Sequence, residues 1–201
     1  MRGECRKDRG RMTDYRESIS QYIEMEKQVL DSLSPDEISH VMNVLERARL
    51  EGRRIFICGN GGSASTAAHL EGDFNKGISY EQEVKYDIEC LSDNVPMMMA
   101  IANDLGYEDI FVVPLRNKLK CGDVVIGISG SGNSENVVRA FRYANESGAE
   151  TIAFTGYGGG RLKAMAKHNI HVAVDNMQIT EDVHLILNHM MMYILSGMRG
   201  C

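Results

Sequence analysis

Short apolar runs alternate with amphipathic stretches along most of the chain, and this alternation predicts the type of fold. Continuous apolar runs are typical of parallel strands covered on both faces, whereas apolar residues at three- and four-residue spacing indicate helices. The predicted strands cover residues 54–58, 87–91, 124–128, 151–154 and 170–174. Predicted helices lie between them, at residues 63–75, 95–102, 109–118, 134–147 and 161–167, and a last one covers residues 180–196. We therefore predict an α/β fold, a doubly wound parallel sheet with helices on both faces.

Two amphipathic helices are predicted before the first strand, over residues 14–30 and 35–50. Ser34 and Pro35 favour the start of the second helix, because Ser is a preferred N-cap residue and Pro fits the first helical position. The apolar faces of these helices indicate either docking against another subunit or a lid over the sheet. Residues 1–11 are basic but lead into no apolar segment, so we predict a disordered extension rather than a secretory signal, followed by a single domain at residues 12–201.

Composition and charge exclude several classes of protein. The chain has 201 residues, of which 43% are hydrophobic and 25% are charged, as is ordinary for a folded globular protein. Its formal net charge of -6 argues against nucleic acid or an anionic membrane surface as a partner. No apolar run approaches the roughly 18 residues of a membrane span. The five cysteines are scattered without C-x-x-C spacing, which is typical of free thiols in the cytoplasm.

Two loops rich in glycine and serine follow predicted strands, at residues 58–65 (CGNGGSAS) and 127–134 (GISGSGNS). At the carboxyl edge of a parallel sheet, glycines let a ligand approach the backbone, and serine hydroxyls and free helix N–H groups bind anions. Neither loop has the Gly-Lys-Ser/Thr of a P-loop or the G-x-G-x-x-G of a dinucleotide-binding turn, so we predict no nucleotide cofactor. The loops are either tight turns with polar caps or, because two of them occur in one sheet, a phosphate-binding site.

Histidines and carboxylates converge on two predicted helices. His69 and Asp73 are four residues apart on the helix after the first loop, and therefore lie on one face. On the last helix, His189 lies nearly below Asp182 and about 80° from Glu181 if the helix is ideal. Glu181 converges with His189 only if it sits at a frayed helix start. These side chains offer either an acid and a base for proton transfer beside a carbonyl or ligands for a divalent metal ion such as zinc.

Several other polar residues and the methionine clusters give weaker indications of function. Asn103 and Asp104 follow an apolar helix, and they are either its end, the default interpretation, or a pair of groups that contact sugar hydroxyls. The methionine clusters at residues 97–99 and 190–192 are predicted to fill the core. Three further histidines have no partner pattern and are predicted to be structural: His40, His168 and His171.

Together these motifs resemble the sugar isomerase (SIS) domain family and, within it, the phosphoheptose isomerases. The resemblance extends from the N-terminal helices to about residue 197, and it rests on the two glycine–serine loops, on His69, on residues 102–107 and on residues 181–189. It implies a three-layer α/β/α sandwich with a five-stranded parallel sheet, assembled as a homotetramer through its N-terminal and C-terminal helices. The implied reaction interconverts an aldose and a ketose phosphate, sedoheptulose 7-phosphate being the ketose, through an enediol.

The resemblance also implies roles for individual residues. Asp73 and His189 fall on the positions of the carboxylate and the histidine that transfer protons in the family. Some members bind zinc there, which assigns His69, Asp73, Glu181 and His189 as metal ligands and selects Glu181 over Asp182. Three serines of the second loop would hold the phosphate, and Asn103 and Asp104 would contact sugar hydroxyls. The implied substrate-binding set is Asn60, Gly61, Gly62, Ser63, Asn103, Asp104, Ser129, Gly130, Ser131, Ser134 and Glu181.

The chain departs from the family pattern at four positions. Asp73 stands where the family usually has Glu, which draws the carboxylate back by roughly 1.5 Å. Glu181 stands where Gln is usual, and its added negative charge would be offset by a metal ion. Gly77 replaces a basic residue and Gly130 replaces Thr. These differences leave the phosphosugar site intact and leave the identity of the sugar open.

Three hypotheses for the function remain at this point. The first is an isomerase that interconverts sedoheptulose 7-phosphate and an aldoheptose phosphate, and the second is an isomerase of a different sugar phosphate. The third is a tetrameric protein without catalysis, which binds a phosphosugar or contacts another protein. The cluster of histidines and carboxylates argues against the third, because a scaffold has no need of converging titratable groups.

Overall fold

A five-stranded parallel sheet forms the centre of the protein in the computed structural model, which describes residues 13–197. Its strands are β1 (Ile55–Gly59), β2 (Ile88–Cys90), β3 (Val124–Ser129), β4 (Glu150–Thr155) and β5 (His168–His171). Every neighbouring pair is parallel, and the order across the sheet is β2-β1-β3-β4-β5. The predicted extension at residues 1–11 lies outside the described residues.

Helices cover both faces of the sheet, which confirms the predicted three-layer α/β/α architecture. The helices are α1 (Arg16–Asp31), α2 (Pro35–Leu50), α3 (Gly62–Gly72), α4 (Val95–Asp104), α5 (Val112–Lys118), α6 (Glu135–Glu146), α7 (Gly160–Met165) and α8 (Met177–Gly197). Helices α1, α2, α3 and α8 contribute to the apolar core on one face, and α4 to α7 contribute to the core on the other. Although α8 spans 21 residues, none of the helices described is long and apolar enough to cross a membrane.

The strand order places the two glycine–serine loops side by side. From β1 the chain first adds β2 at one side and then returns to add β3 at the other, so β1 and β3 are neighbours. Their carboxyl ends meet at the point where the direction of winding reverses, which is where ligands bind in open α/β sheets. The fold therefore brings both loops to one edge of the sheet.

Side-chain caps mark the starts of α2 and α4. Ser34 caps α2 as predicted, because its hydroxyl accepts a hydrogen bond of 3.2 Å from the N–H of Glu37, with Pro35 at the first helical position. Asn94 caps α4 in the same way, with a 3.2 Å bond from the N–H of Met97.

Two segments differ from the sequence-based prediction. The helix predicted over residues 63–75 ends at Gly72 and continues as a π-helical segment, Asp73–Ile78, and a short 3-10 turn, Ser79–Glu81. The strand predicted over residues 170–174 is β5 at His168–His171. The N–H of Val172 still donates to the carbonyl oxygen of Thr155 at 2.8 Å, and the N–H of Tyr157 donates to the carbonyl oxygen of Val174 at 3.2 Å. The regular ladder nevertheless ends where β4 ends, with Thr155 opposite His171.

Candidate active site

The loop after β1 brings the backbone close to α3 and α8. Gly61 has a φ of 55°, which favours glycine, and a Cβ atom at Gly59 would lie only 2.7 Å from the backbone of Ser63. A Cβ atom at Gly62, the first residue of α3, would lie 2.3 Å from Oε2 of Glu181. The carboxylate of Glu181 therefore packs against the N-terminus of α3, where negative charge is favourable. Because this helix start already faces a carboxylate, the second loop is better suited to a phosphate.

The loop after β3 presents serine hydroxyls at the start of α6. The hydroxyl oxygens of Ser129 and Ser134 lie 3.3 Å apart, and Ser129 also accepts a 3.2 Å bond from the N–H of Gly132. The hydroxyl of Ser131 accepts a 3.2 Å bond from the N–H of Asn133. Ser134 occupies the N-cap position of α6, but its side chain makes no capping bond. These hydroxyls and the free N–H groups of the helix start form an arrangement that can bind an anion.

Methionines of α8 fill the space beside Gly77 and Gly130. A Cβ atom at Gly130 would lie 2.6 Å from Sδ of Met177, and one at Gly77 would lie 2.7 Å from Cε of Met192. Both glycines therefore allow α8 to pack closely against the second loop and against the π-helical segment.

His69, Asp73 and His189 come together where α3 meets α8. Nε2 of His69 lies 3.2 Å from Nε2 of His189 and 3.4 Å from Oδ2 of Asp73. The two rings meet edge to face, with their centroids 4.8 Å apart. Asp73 is the first residue of the π-helical segment, an irregularity that is frequent at functional sites. The sequence-based pairing of these three residues agrees with their placement.

The same three side chains have the donor set of a metal site. One ligand atom from each lies within 4.8 Å of the other two. A tetrahedral zinc ion with Zn–N distances of about 2.0–2.1 Å holds two imidazole nitrogens about 3.4 Å apart, close to the 3.2 Å between His69 and His189. The residues present therefore fit zinc.

The two carboxylates at the start of α8 point in different directions. Helix α8 begins at Met177, so Glu181 lies inside the helix and not at a frayed start, and its carboxylate faces Gly62 rather than joining the histidine cluster. Asp182 accepts a short hydrogen bond from the hydroxyl of Tyr22 on α1. This bond raises the pKa of Tyr22 to about 12. The side chain of Asp182 is therefore bound to α1. The assignment of Glu181 as a metal ligand stays a prediction.

Asn188 holds the carboxylate of Asp73, a contact that the sequence analysis does not identify. Its Nδ2 donates a 2.8 Å hydrogen bond to Oδ2 of Asp73. The side chain is fully buried, and its Oδ1 has no hydrogen-bond partner among the described residues. Asn188 and Asp73 are 115 residues apart and on different elements. In the sequence, the one indication that Asn188 belongs to the site is its position immediately before His189.

Asn60 is held by two residues from other parts of the chain. Its amide pairs with the amide of Asn136 on α6, through bonds of 3.0 and 2.9 Å. The hydroxyl of Tyr107 donates a 2.9 Å bond to Oδ1 of Asn60. Asn60 and Tyr107 border a cavity of about 220 Å³ that Gly61 and Ser92 also line. The loop after β1 is thereby tied to the first turn of α6.

Asn103 and Asp104 are exposed at the end of α4. The Nδ2 of Asn103 donates a 2.8 Å bond to Oδ1 of Asp104. Helix α4 ends at Asp104, in agreement with the interpretation as a helix end. Their contact with sugar hydroxyls stays a prediction.

A second group of possible metal ligands lies beside the end of β2. One ligand atom each of Glu71, Cys90 and Asp93 lies within 4.8 Å of the other two. The N–H of Cys90 donates a 3.2 Å bond to Oε2 of Glu71. Burial raises the pKa of the Glu71 carboxyl, and it raises the pKa of the Cys90 thiol to about 12. Burial thus disfavours the charged forms of both groups in the free protein.

Comparison with known protein sequences identifies relatives over most of the chain. The sequence profile of the SIS domain matches residues 14–156. A probable phosphoheptose isomerase of Thermoplasma acidophilum is 34% identical over 169 residues, which cover 84% of this chain and 92% of the relative. The phosphoheptose isomerase of Aquifex aeolicus is 33% identical over 166 residues, which cover 83% of this chain and 86% of the relative.

Solved structures show the same architecture. Phosphoheptose isomerase GmhA from Neisseria gonorrhoeae has a TM-score of 0.83 at 25% identity, covering 92% of this chain and 100% of that chain. The sugar isomerase domain of an RpiR transcription factor from Sphaerobacter thermophilus has a TM-score of 0.62 at 18% identity, covering 91% of each chain, a likeness in fold alone. The sequence profile and the relatives above 30% identity establish that the chain belongs to the SIS domain family and, within it, to the phosphoheptose isomerases.

Proposed function

We propose that this protein is an aldose–ketose isomerase that converts sedoheptulose 7-phosphate to glycero-manno-heptose 7-phosphate through an enediol. The observation that carries this proposal is the convergence of His69, Asp73 and His189 within 4.8 Å, on helices that adjoin the two glycine–serine loops. A base and an acid beside an anion-binding loop are what proton transfer in a sugar phosphate requires. The names of the relatives point to the same reaction.

The loop after β3 is the proposed phosphate site. Ser129, Ser131 and Ser134 supply hydroxyl donors, and the N-terminus of α6 supplies free backbone N–H groups. With the phosphate held there, the sugar chain extends toward the loop after β1. Asn60, Gly61, Gly62 and Ser63 are the proposed sugar contacts in that loop, together with Gly130, Asn103, Asp104 and Glu181 from other segments.

The isomerisation moves one hydrogen between neighbouring carbons and one between their oxygens. In the proposed mechanism the carboxylate of Asp73 removes the proton from the carbon beside the carbonyl, and the electron pair of that bond forms the enediol. His189 moves the proton between the two oxygens, and Asp73 returns its own proton to the other carbon. Atoms and electrons balance, and both groups end in their starting protonation states.

Zinc is the proposed cofactor. His69 and His189 would hold it through Nε2 and Asp73 through Oδ2, with Glu181 as the predicted fourth ligand. Oδ1 of Asp73 and Nδ1 of His189 would then stay available for proton transfer. When bound, zinc would polarise the carbonyl oxygen of the sugar and stabilise negative charge that develops on it. The Nδ2 of Asn188 keeps Oδ2 of Asp73 directed at His69 in either case.

We propose that four copies assemble through α1 and α8, in the cytoplasm. In support, apolar residues of both helices are exposed, among them Ile19 (55%), Ile23 (50%) and Tyr193 (77%). An apolar cavity of about 650 Å³ also opens between α1, α2 and α8, lined in part by Leu33, Met42 and Ile186. The cysteines Cys58 and Cys90 are free and buried, as suits a reducing compartment.

The proposed activity is tested by NMR on sedoheptulose 7-phosphate, with metal content measured on the same preparation. We expect aldose to accumulate in the wild type, and His189→Ala to lower kcat by at least about 100-fold, since one acid–base group contributes that much. His40→Ala is the matched control, because His40 contacts His168 and not the cluster. Activity that is lost on chelation and restored by zinc supports the metal; unchanged turnover in His189→Ala contradicts its role.

A second candidate is the same reaction on a different sugar phosphate. The observation in its favour is that Asp73, Gly77 and Gly130 differ from the family pattern, with methionines of α8 in the space beside both glycines. A zinc-loaded protein that leaves sedoheptulose 7-phosphate unchanged but converts another aldose or ketose phosphate supports this alternative. Absence of both metal and turnover supports a binding protein, a use that the fold permits.

A further inference from the structure

A chain of hydrogen bonds that begins in the backbone of α6 fixes the side chain of Asn136. Val137 is the third residue of α6, so its N–H has no acceptor within the helix. This N–H donates to Oδ1 of Asn136 at 2.9 Å. Because a backbone N–H can only donate, the bond determines which end of the Asn136 amide is the oxygen. Asn136 is only 2% exposed, so solvent offers its amide no alternative hydrogen-bond partner.

Asn136 in turn fixes the orientation of Asn60. The Nδ2 of Asn60 donates to Oδ1 of Asn136 at 3.0 Å, and the Nδ2 of Asn136 donates back to Oδ1 of Asn60 at 2.9 Å. The hydroxyl of Tyr107 donates to the same Oδ1 at 2.9 Å. An amide oxygen has two lone pairs, and both are now used. One hydrogen on Nδ2 of Asn60 is left without a partner in the part of the chain that the structure describes.

We propose that Asn136 and Tyr107 are positioning residues that present Asn60 to the sugar as the donor of one hydrogen bond. The unused N–H belongs to a side chain that borders the 220 Å³ cavity, so the group it recognises is an acceptor oxygen, a hydroxyl or carbonyl of the sugar. The amide pair also ties the loop after β1 to α6, whose first turn follows the phosphate loop. This sets the distance between the phosphate and that oxygen. The inference rests on the proposed function, in which Asn60 contacts substrate.

The pairing is tested by a double-mutant cycle on turnover of sedoheptulose 7-phosphate. We expect Asn60→Ala and Asn136→Ala each to lower kcat/KM by about 10-fold, the loss of one oriented hydrogen bond. The double variant is expected to be no worse than Asn60→Ala, because Asn136 then has nothing to orient. Losses that multiply would show that Asn136 acts by supporting the phosphate loop, and would overturn the inference.

Two further variants keep the test interpretable. Asn136→Asp keeps an acceptor for the N–H of Val137 and for Nδ2 of Asn60, but it replaces the donor opposite Oδ1 of Asn60 by an oxygen, and the repulsion between the two oxygens displaces the Asn60 amide. We expect it to be at least as inactive as Asn136→Ala. Asn145→Ala is the matched control, because Asn145 is also on α6 and bonds the carbonyl oxygen of Met165 and the hydroxyl of Thr151, at the opposite end of the helix. Its kcat/KM should stay within about 2-fold.

A measurement that needs no activity separates this inference from the proposed function. In the wild type the Nδ2 hydrogen of Asn60 that is bonded to Oδ1 of Asn136, assigned by the loss of its resonance in Asn60→Ala, should exchange with solvent slowly. In Asn136→Ala this exchange should accelerate by about 10-fold. If the wild type does not convert sedoheptulose 7-phosphate but this acceleration is seen, the proposed function fails and the positioning stands. Equal exchange in both proteins overturns the positioning, whatever the turnover.

Discussion

The short side chain of Asp73 is held in place by a residue of the facing helix. Because an Asp side chain is one methylene shorter than that of Glu, the carboxylate of Asp73 stays close to the π-helical segment that carries it. The Nδ2 of Asn188 reaches it at 2.8 Å from a fully buried position on α8. Since Asn188 precedes His189, the helix that supplies the histidine also fixes the carboxylate. The relative position of the two proposed acid–base groups is therefore set by α8.

Replacing Asn188 tests this compensation. We expect Asn188→Leu to lower kcat by about 10-fold, because the carboxylate loses the donor that orients it. The free energy of unfolding should change by no more than about 1 kcal/mol, because the lost hydrogen bond is offset by removal of a buried Oδ1 that has no partner. Steady-state kinetics and chemical unfolding measure the two quantities.

Asn169 provides the matched control for that prediction. It is an amide on β5 whose Oδ1 also lacks a partner among the described residues, and its Nδ2 donates to the carbonyl oxygen of Lys163 at 3.2 Å. Asn169→Leu should keep kcat within about 2-fold of the wild type. An equal loss of kcat in both variants, or none in Asn188→Leu, would contradict the positioning of Asp73 by Asn188.

At the scale of elements, the sequence predicts what depends on local signals and misses what depends on tertiary contacts. The apolar runs locate all five strands, and Ser34 with Pro35 locates the start of α2. The spacing of His69 and Asp73 places both on one face, although it does not reveal the π-helical segment that begins at Asp73. No local pattern encodes the contact of Asn188 with Asp73, because it forms only when α8 packs against α3.

Helix α8 also carries a buried histidine that affects stability. His184 packs against the ring of Phe154, with the centroids 5.9 Å apart. Burial lowers the pKa of His184 from 6.5 to about 4, so the unfolded chain binds a proton between these values and the folded chain does not. The contribution of His184 to the free energy of unfolding is therefore fully present above its unfolded pKa of 6.5. It is lost progressively as the pH falls toward 4.

Replacing this histidine should reduce the loss of stability in acid. When the pH falls from about 7.5 to about 5, the free energy of unfolding should decrease by about 2 kcal/mol less in His184→Leu than in the wild type. The reason is that leucine, unlike histidine, binds no proton when the chain unfolds. Urea unfolding at each pH, at one fixed protein concentration, measures the difference. Parallel losses of stability in the two proteins would show that His184 does not titrate on unfolding in this range.

At the scale of the whole molecule, helix α1 exposes an apolar face. Ile19, Tyr22 and Ile23 follow helical spacing and are exposed, and Tyr193 and Ile194 are exposed on α8. Such exposed apolar residues on two neighbouring helices support the proposed assembly through α1 and α8. Tyr22 also links the two helices, through its bond to Asp182.

The proposed tetramer predicts the effect of a single charge on this face. The wild type should sediment with about four times the 22.4 kDa mass of one chain. Ile19→Glu should shift it to a smaller species, because a carboxylate buried at an interface without a partner is strongly unfavourable. Val84→Glu is the matched control, since Val84 is an exposed apolar residue between the 3-10 turn and β2 and belongs to neither α1 nor α8. A wild type that sediments as one chain, or an Ile19→Glu variant that keeps the mass of the wild type, contradicts assembly through α1. A similar shift in Val84→Glu means that any added charge disperses the assembly, and then α1 has no special part in it.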